Sequence, residues 1–220
     1  YFNVGEEELR KQIDAHEIIS FDMFDTLVMR KTLYPVDVYA IVEDKAETRG
    51  IGVKGFKELR WEAEMNTVQE IPDIYRIYDE LQRLTGINDS QREELLHLEL
   101  ETEKEVLIPR SRMVAVLNYA VEQGKQVYVV SDMYLPAEIL NGILSGLGIA
   151  GYKKLFVSCE YHKNKVTGLY QVFKEYAKGI SYLHVGDNYY ADCVYSEQNG
   201  LDSFYIKKAS EMLPISGYAP

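Results

Sequence analysis

The chain has 220 residues, of which 46% are hydrophobic and 27% are charged, and this composition is typical of a folded globular protein. It excludes the collagen-like, low-complexity and disordered classes. The 24 Lys and Arg residues stand against 35 Asp and Glu, so the net charge is −11, which argues against nucleic acid or an anionic membrane as a partner. No apolar run approaches the roughly 20 residues that cross a bilayer, so we expect no membrane span.

Cysteine content and the chain ends suggest the setting of the protein. Cys159 and Cys193 are too few for a disulfide framework or a Cys-rich zinc site, and both lie in apolar segments. We therefore expect buried, reduced thiols and a cytoplasmic location. The sequence begins at Tyr1 without an initiating Met, and no signal-type apolar region precedes the first predicted strand. We expect the chain to be a domain of a longer protein.

Five short apolar runs predict β-strands, and segments with helical periodicity follow or separate them. The strands are predicted at 17–21, 126–130, 155–157, 182–185 and 203–206, and the helices at 111–122, 136–144, 167–176 and 190–198. Short, almost wholly apolar strands that alternate with helices are typical of a parallel sheet covered on both faces. We therefore predict an α/β fold with a doubly wound parallel sheet.

The strand pattern disappears between Tyr34 and Pro109, where apolar residues recur at helical spacing. We predict a helical cap at 34–109, inserted after the first strand, and an α/β core formed by 1–33 and 110–220. The last helix of this cap carries acidic residues with a period of two, which predicts a mostly solvated surface. These residues are Glu99, Glu101, Glu103 and Glu105.

Polar residues stand where several predicted strands end. Asp22, Ser131 and Asp187 each follow an apolar run, and Lys165 lies between the third strand and the next helix. Ligands of parallel α/β sheets bind beyond the carboxyl ends of the strands. Two carboxylates, a hydroxyl and an ammonium group that converge there can hold a phosphate and a divalent cation, because Mg²⁺ favours carboxylate and phosphate oxygens.

These residues resemble the four motifs of the haloacid dehalogenase (HAD) superfamily. Asp22-Met23-Phe24-Asp25-Thr26-Leu27 resembles motif I, Ser131 motif II and Lys165 motif III. Asp187, with Asp192 five residues later, resembles the acidic motif IV. The motifs occur in the order of the family, and the helical insert between the first two resembles its type 1 cap. The resemblance implies a Rossmann-like core with this cap.

Two longer segments narrow the resemblance. Residues 21–27 and 131–136 resemble a bacterial branch of hydrolases that is often fused to, or encoded near, glycosyltransferases of surface polysaccharide synthesis. The resemblance therefore implies a fused or neighbouring glycosyltransferase as a possible partner.

The resemblance also implies catalytic roles. Asp22 would attack phosphorus to give an aspartyl-phosphate. Ser131 would donate a hydrogen bond to a phosphoryl oxygen, and Lys165 would neutralise the phosphate and orient Asp22. Thr26 and Asp132 are further candidates for substrate contact.

A magnesium site is implied as well. The ligands would be Asp22, the backbone carbonyl of Phe24 and Asp187. Asp192 would be a further ligand, or would contact the ligands without binding the metal itself. The metal would bring two anions together and screen the developing charge.

One position departs from the phosphatases of the family. They carry a second Asp two residues after the nucleophile, which protonates the leaving oxygen and later activates water, whereas this chain has Phe24. Such acid–base help is typically worth about 10²–10⁴-fold. Asp25 is a candidate replacement. Otherwise the substrate has a good leaving group, such as the anomeric oxygen of a sugar 1-phosphate or an acyl phosphate, or the reaction is not phosphate hydrolysis.

Three functions stay open at this point. We favour an Mg²⁺-dependent phosphohydrolase or phosphotransferase that acts through Asp22 on a small phosphorylated metabolite or sugar. The dehalogenases of the family also have an aromatic residue at the Phe24 position, so a metal-independent dehalogenase is an alternative, although the Asp187 and Asp192 pair favours metal. The third is a catalytically weakened regulatory module that binds Mg²⁺ and phosphate without turnover.

Several candidate site residues also have a purely structural explanation. Ser131 and Asp132 are typical caps for a helix at Pro136, and we prefer this interpretation for Asp132. Lys163 competes with Lys165 for the motif III role. Asp192 could instead be a first-turn acid that interacts with a helix dipole.

Other polar residues are assigned from the pattern around them. His184, inside an apolar strand, is expected to be a core residue with satisfied hydrogen bonds. Three residues are candidates to face the cleft from the side of the cap: Arg30, Arg60 and Glu64. Of these, Arg30 is a candidate contact for an anion, although surface ion pairs explain all three equally well. Tyr134, close to Ser131, is a candidate to line a sugar-sized pocket.

Overall fold

The computed structural model describes residues 5–208 and 211. The predictions for the two chain ends, including that of a longer protein, lie largely outside these residues. In chain order the elements are α1 (Glu6–Ala15), β1 (Ile18–Phe21), β2 (Val28–Arg30), α2 (Asp37–Thr48), α3 (Phe56–Thr67), the 3₁₀ turn Val68–Glu70, α4 (Ile74–Thr85), α5 (Asp89–Val106), β3 (Leu107–Pro109), α6 (Ser111–Glu122), β4 (Gln126–Ser131), α7 (Ala137–Gly146), β5 (Leu155–Val157), α8 (Ser158–Tyr161), α9 (Leu169–Ala177), β6 (Tyr182–Gly186), the π-helical segment Tyr189–Val194, α10 (Tyr195–Gln198) and β7 (Asp202–Tyr205).

A five-stranded parallel sheet forms the centre of the fold, in the order β5-β4-β1-β6-β7. β1 is the middle strand and pairs with β4 on one side and β6 on the other, with Ile18 opposite both Gln126 and Tyr182. The chain first builds one half of the sheet outward from β1 and then returns to build the other. This arrangement confirms the predicted α/β, doubly wound parallel sheet.

Both faces of the sheet are buried, which explains the continuous apolar strands. Successive residues of β1 point into two different hydrophobic clusters: Ile19 belongs to one, and Ile18 belongs to the other. β4 alternates in the same way, with Val129 in the first cluster and Val130 in the second. The first cluster also holds residues of α1, α6 and α7, and the second holds residues of α9.

Two features were not predicted. Helix α1 is rich in charge and buries only Leu9 and Ile13, so its periodicity is weak. The strands β2 and β3 form an antiparallel ribbon of three residues each, with Met29 opposite Ile108. Strands this short give no readable alternation, and the second lies within the range predicted to be wholly helical.

Helices α2 to α5 lie between the two strands of this ribbon, as the periodicity predicts. Gly86 ends α4 in a left-handed conformation at φ +70°, which a glycine adopts without strain. Asn88 then begins α5 with a capping box, in which its side chain accepts from the Gln91 N–H and the Gln91 side chain accepts from the Asn88 N–H. The boundaries of the cap at 34 and 109 stay a prediction.

The prediction for the acidic residues of α5 was partly wrong. Glu99 and Glu103 are buried, whereas Glu101 and Glu105 are exposed. Residues four apart share one face of a helix, so a run with a period of two places alternate members on opposite faces. The acidic run was therefore a poor guide to exposure.

Glu99 holds a buried arginine inside this helical region. Its two oxygens accept from Arg60 Nε and Nη2, each at 2.9 Å, and one of them also accepts from the Tyr78 hydroxyl at 2.8 Å. Arg60 has no exposed surface, so it does not face a cleft as predicted. Its charge is instead balanced inside the protein.

We expect Glu99→Gln to lower the free energy of unfolding by about 3 kcal/mol, because it removes the more buried of the two carboxylates that balance the Arg60 guanidinium. Urea unfolding at pH 7 measures the loss. Glu101→Gln is the matched control on the same helix, since Glu101 pairs with Arg49 at 3.3 Å with both side chains about half exposed (55% each). The control should change stability by less than about 0.5 kcal/mol. Equal effects of the two substitutions would contradict the assignment.

Two smaller predictions concern the cysteines and the membrane. Cys159 and Cys193 are both free and buried, as predicted. Within residues 5–208, no helix is both long enough and apolar enough to cross a membrane.

Candidate active site

The predicted site residues meet at one edge of the sheet. Asp22 follows β1 directly, Ser131 is the last residue of β4, and Asp187 follows β6. The strands are parallel neighbours, so their carboxyl ends lie side by side. The Asp22 N–H donates to the Val185 carbonyl at 2.9 Å and extends the β1–β6 pairing to the first site residue. Ser131 is buried in this edge.

Lys165 reaches the same edge from the loop between α8 and α9. Its side chain is buried, and Nζ lies 2.5 Å from Asp22 Oδ1 and 2.5 Å from Asp192 Oδ1. Lys163, which competed for this role, is exposed. Burial lowers the pKa of Lys165, but the charges of Asp192 and Asp22 outweigh it and hold that pKa well above its usual value. The lysine is therefore an ammonium ion between two carboxylates.

Three buried carboxylates form a cluster that can hold a metal ion. One oxygen each from Asp22, Asp187 and Asp192 lies within 4.8 Å of the others. Burial, together with the charges of Asp192 and Asp187, raises the pKa of Asp22 well above its usual value despite Lys165. Burial, with the charges of Asp192 and Asp25, raises the pKa of Asp187 to about 6. A divalent cation would relieve this repulsion, and an all-oxygen donor set suits Mg²⁺.

Asp192 is held more tightly than the other two. Its Oδ1 accepts from Lys165 and lies 3.2 Å from His184 Nε2, and its Oδ2 accepts from the Asn188 N–H at 2.8 Å. Burial raises its pKa, but Lys165 and the His184 hydrogen bond reverse the effect and leave it well below the usual value. With both oxygens in use, Asp192 is better placed to orient Lys165 than to be a principal ligand.

Two neighbouring residues, His184 and Gly186, allow Asp192 to occupy its position. His184 lies 2.8 Å from the Ser20 hydroxyl through Nδ1, and burial lowers the pKa of its ring, so a neutral ring links Ser20 to Asp192. This agrees with the prediction of a satisfied core histidine. Gly186 leaves room for the carboxylate, because a Cβ there would lie 2.3 Å from Asp192 Cγ. In the sequence, the glycine before Asp187 is the only indication that the Asp192 carboxylate packs against the backbone at position 186.

Thr26 contacts one carboxylate of the cluster. It has no exposed surface, and its hydroxyl donates to Asp187 Oδ1 at 3.2 Å. The residue therefore orients a carboxylate of the cluster. Its predicted contact with substrate stays a prediction. A threonine one turn after Asp22 is the only sequence signal for this contact.

Phe24 and Asp25 form the turn that follows Asp22. Phe24 is half-buried, and the guanidinium of Arg30 lies 4.6 Å from the centre of its ring. Asp25 has a left-handed backbone at φ +55°, and its carbonyl accepts a hydrogen bond from Arg110 Nη1. The carboxylate of Asp25 is close enough to raise the pKa of Asp187. Its predicted role as an acid stays a prediction.

Arg30 is already paired. Its Nε and Nη2 donate to Glu103 at 3.3 and 3.2 Å, and only 11% of its side chain is exposed. A contact between Arg30 and a substrate anion would require this buried ion pair to open.

Asp132 does not cap helix α7, so the preferred structural interpretation was wrong. Its Oδ1 accepts from the Lys165 N–H at 2.9 Å, and Glu160 Oε1 takes the Ala137 N–H at 2.8 Å in its place. Asp132 fixes the Lys165 loop and lines a cavity together with Glu64 and Tyr134. The expectations that Tyr134 lines a pocket and that Glu64 faces a cleft are thus met.

No protein-family model and no curated protein sequence matches this chain. Solved structures do. HAD phosphatase from Thermococcus onnurineus is 15% identical, with 91% of this chain and 98% of that chain covered at a TM-score of 0.58. YfnB from Bacillus subtilis, named a putative HAD-hydrolase and solved with bound magnesium, is 16% identical. The match covers 91% of this chain and 98% of that chain at a TM-score of 0.57. L-2-haloacid dehalogenase from Xanthobacter autotrophicus is 13% identical. The match covers 93% of this chain and 85% of that chain at a TM-score of 0.58.

The chain therefore has the fold of the HAD superfamily, and the resemblance found in the motifs is confirmed at the level of the fold. A phosphatase and a dehalogenase are both among these neighbours. At identities this low the likeness identifies the fold and leaves the reaction to be argued from the site.

Proposed function

We propose that the protein is an Mg²⁺-dependent phosphohydrolase or phosphotransferase that acts through an aspartyl-phosphate at Asp22. The observation that carries this proposal is the buried ammonium of Lys165, 2.5 Å from Asp22 within a cluster of three carboxylates. A carboxylate held beside a fixed cation, next to a metal site, is suited to attack an anionic phosphate. The substrate is a small phosphorylated metabolite or sugar.

The reaction proceeds in two displacements. A carboxylate oxygen of Asp22 attacks phosphorus, the bond from phosphorus to the leaving oxygen breaks, and the leaving group takes a proton. Water then attacks the phosphorus of the aspartyl-phosphate, loses a proton and regenerates the Asp22 carboxylate as inorganic phosphate leaves. In phosphotransfer an alcohol takes the place of water. Lys165 and the Ser131 hydroxyl stabilise the charge on the phosphoryl oxygens in both steps.

The residues that would hold Mg²⁺ are Asp22, Asp187 and the backbone carbonyl of Phe24. When bound, the metal supplies positive charge that lets a carboxylate approach a phosphate. Thr26 orients Asp187 for this role, and Asp192 orients Lys165. The side chains present therefore fit the ion in their oxygen donors. They also fit it in their charge, because burial and the repulsion from Asp192 and Asp25 raise the pKa of Asp187 to about 6.

Phe24 directs the proposal toward substrates that need little acid help. Its ring cannot donate a proton, and Asp25 is the nearest carboxylate along the chain. We expect faster turnover of acyl phosphates and sugar 1-phosphates than of alkyl phosphates. A cytoplasmic location and an association with a glycosyltransferase remain part of this proposal.

The test is phosphate release from p-nitrophenyl phosphate and a panel of sugar, acyl and alkyl phosphates, with Mg²⁺ and with excess chelator. We expect activity that chelator abolishes and Mg²⁺ restores. Turnover of a haloacid that resists chelator would indicate dehalogenase chemistry on carbon. Mg²⁺ binding without any turnover would indicate a regulatory module.

A further inference from the structure

A cavity of about 190 Å³ lies beside the site, between α3 and α4 on one side and the loop after β4 on the other. Glu64 and Ile77 line it from the helices, and Asp132 and Asn164 line it from the sheet domain. Asp132 accepts from the Lys165 N–H, and Asn164 is the residue before Lys165. Two lining residues of the cavity therefore adjoin Lys165, one through a hydrogen bond and one along the chain.

Each carboxylate of this cavity has one oxygen engaged and one free. Glu64 Oε2 accepts from the Tyr39 hydroxyl at 2.6 Å and from Arg60 Nη1 at 2.9 Å, which fixes the carboxylate. Asp132 Oδ1 accepts from Lys165. Among the described residues, Glu64 Oε1 and Asp132 Oδ2 have no partner. Two fixed acceptors thus stand on opposite walls of one cavity.

The rest of the lining is apolar or neutral. Val68, Ile71 and Pro72 form an apolar wall, and no Lys, Arg or His among the described residues lines the cavity. An anionic group placed here would meet two carboxylates and no cation among the described lining residues, because the Arg60 guanidinium behind Glu64 is already shared between Glu64 and Glu99. Hydroxyl and ammonium groups, in contrast, would satisfy the two free acceptors.

We infer that this cavity holds the leaving group of the substrate and selects a small one that carries hydroxyl or amino donors and no anion. The inference rests on the proposed function and adds the substrate class: the monophosphate of a polyol, amino alcohol or amino sugar. The size agrees, because pockets for drug-sized ligands span roughly 300–1,000 Å³ and this one is smaller.

The test uses matched monophosphates that differ in one group. Phosphoethanolamine, 2-hydroxyethyl phosphate and phosphoglycolate form a two-carbon series with an amine, a hydroxyl and a carboxylate. Glucosamine 6-phosphate, glucose 6-phosphate and 6-phosphogluconate form a six-carbon series. Both kcat/KM and the Kd by calorimetry are measured with Mg²⁺, since binding reports on the cavity even without turnover.

We expect the amine and hydroxyl members to bind with at least tenfold lower Kd than the carboxylate member, or to be turned over with at least tenfold higher kcat/KM. Glu64→Gln and Asp132→Asn should each reduce this preference at least threefold, whereas Glu62→Gln, on the exposed face of α3, should preserve it. An amine preference that Glu64→Gln removes identifies an ammonium, and equal use of amine and hydroxyl identifies hydroxyl recognition.

The inference is overturned if the carboxylate member binds as well as the others, or if both cavity variants keep the preference of the unaltered protein. Failure of the proposed function has a different signature. In that case no phosphate is released from any compound, p-nitrophenyl phosphate included, while calorimetry still reports the order of binding.

Discussion

Asp22→Asn is expected to reduce kcat for Mg²⁺-dependent phosphate release by about 10⁴–10⁶-fold, because an amide cannot attack phosphorus. The fold should persist. The substitution removes one of three clustered carboxylates, each a source of repulsion when no metal is bound. The measurement is kcat on the best substrate of the panel, with unfolding in urea as the check on folding. Acid-quenched protein should carry a phosphoryl group that the variant lacks.

Asp44→Asn provides the matched control for this substitution. Asp44 is an exposed residue of α2 and makes the same change of side chain away from the site. It should retain full activity. Turnover by Asp22→Asn within tenfold of the unaltered protein would show that Asp22 is not the nucleophile.

Much of the sheet could be predicted because strands buried on both faces have a simple sequence pattern. All five parallel strands lie within one residue of their predicted bounds, and α6 matches its prediction at both ends. The runs are apolar because side chains on both faces of β1 and β4 enter hydrophobic clusters. The ribbon of β2 and β3 escaped prediction because each strand has three residues of which only the first is buried, so neither forms a continuous apolar run.

The candidate site could be predicted as a set of residues but not as a set of contacts. Asp22, Asp187, Asp192 and Lys165 converge as the motifs imply. The sequence could not indicate that the Thr26 hydroxyl donates to Asp187, since a threonine near a strand end can point its side chain toward the site or away from it. It also could not separate Asp132 as a cap from Asp132 as the acceptor for the Lys165 loop, because both roles use the same short polar side chain.

Exposure of charged residues was the least predictable property. Glu99 and Glu101 are chemically identical and two residues apart, yet one is buried and the other is about half exposed. The difference arises from Arg60, thirty-nine positions away, which only the tertiary fold brings to Glu99. A buried ion pair of this kind leaves no local signal in the sequence.

Lys165→Met is expected to lower both stability and activity. The substitution leaves Asp22 and Asp192 buried without the ammonium that contacts both, and loss of one partner of a buried ion pair typically costs about 3–5 kcal/mol. It also removes a fixed positive charge from the phosphoryl oxygens, which should lower kcat by about 10²–10³-fold. Urea unfolding in excess chelator and Mg²⁺-dependent phosphate release measure the two effects. Lys163→Met, an exposed lysine two residues away, should change stability by less than about 0.5 kcal/mol.

The dependence of this loss on pH identifies its cause. Burial already raises the pKa of Asp22 in the folded protein, and removal of Lys165, whose charge lowers it, raises that pKa further above the unfolded value. The folded variant then binds more protons than the unfolded chain, so its stability falls as pH rises through the range between the two pKa values. The deficit relative to the unaltered protein should therefore be smaller at pH 5 than at pH 8. A deficit that is the same at both pH values would mean that lost packing of the lysine side chain, and not two unbalanced carboxylates, destabilises the variant.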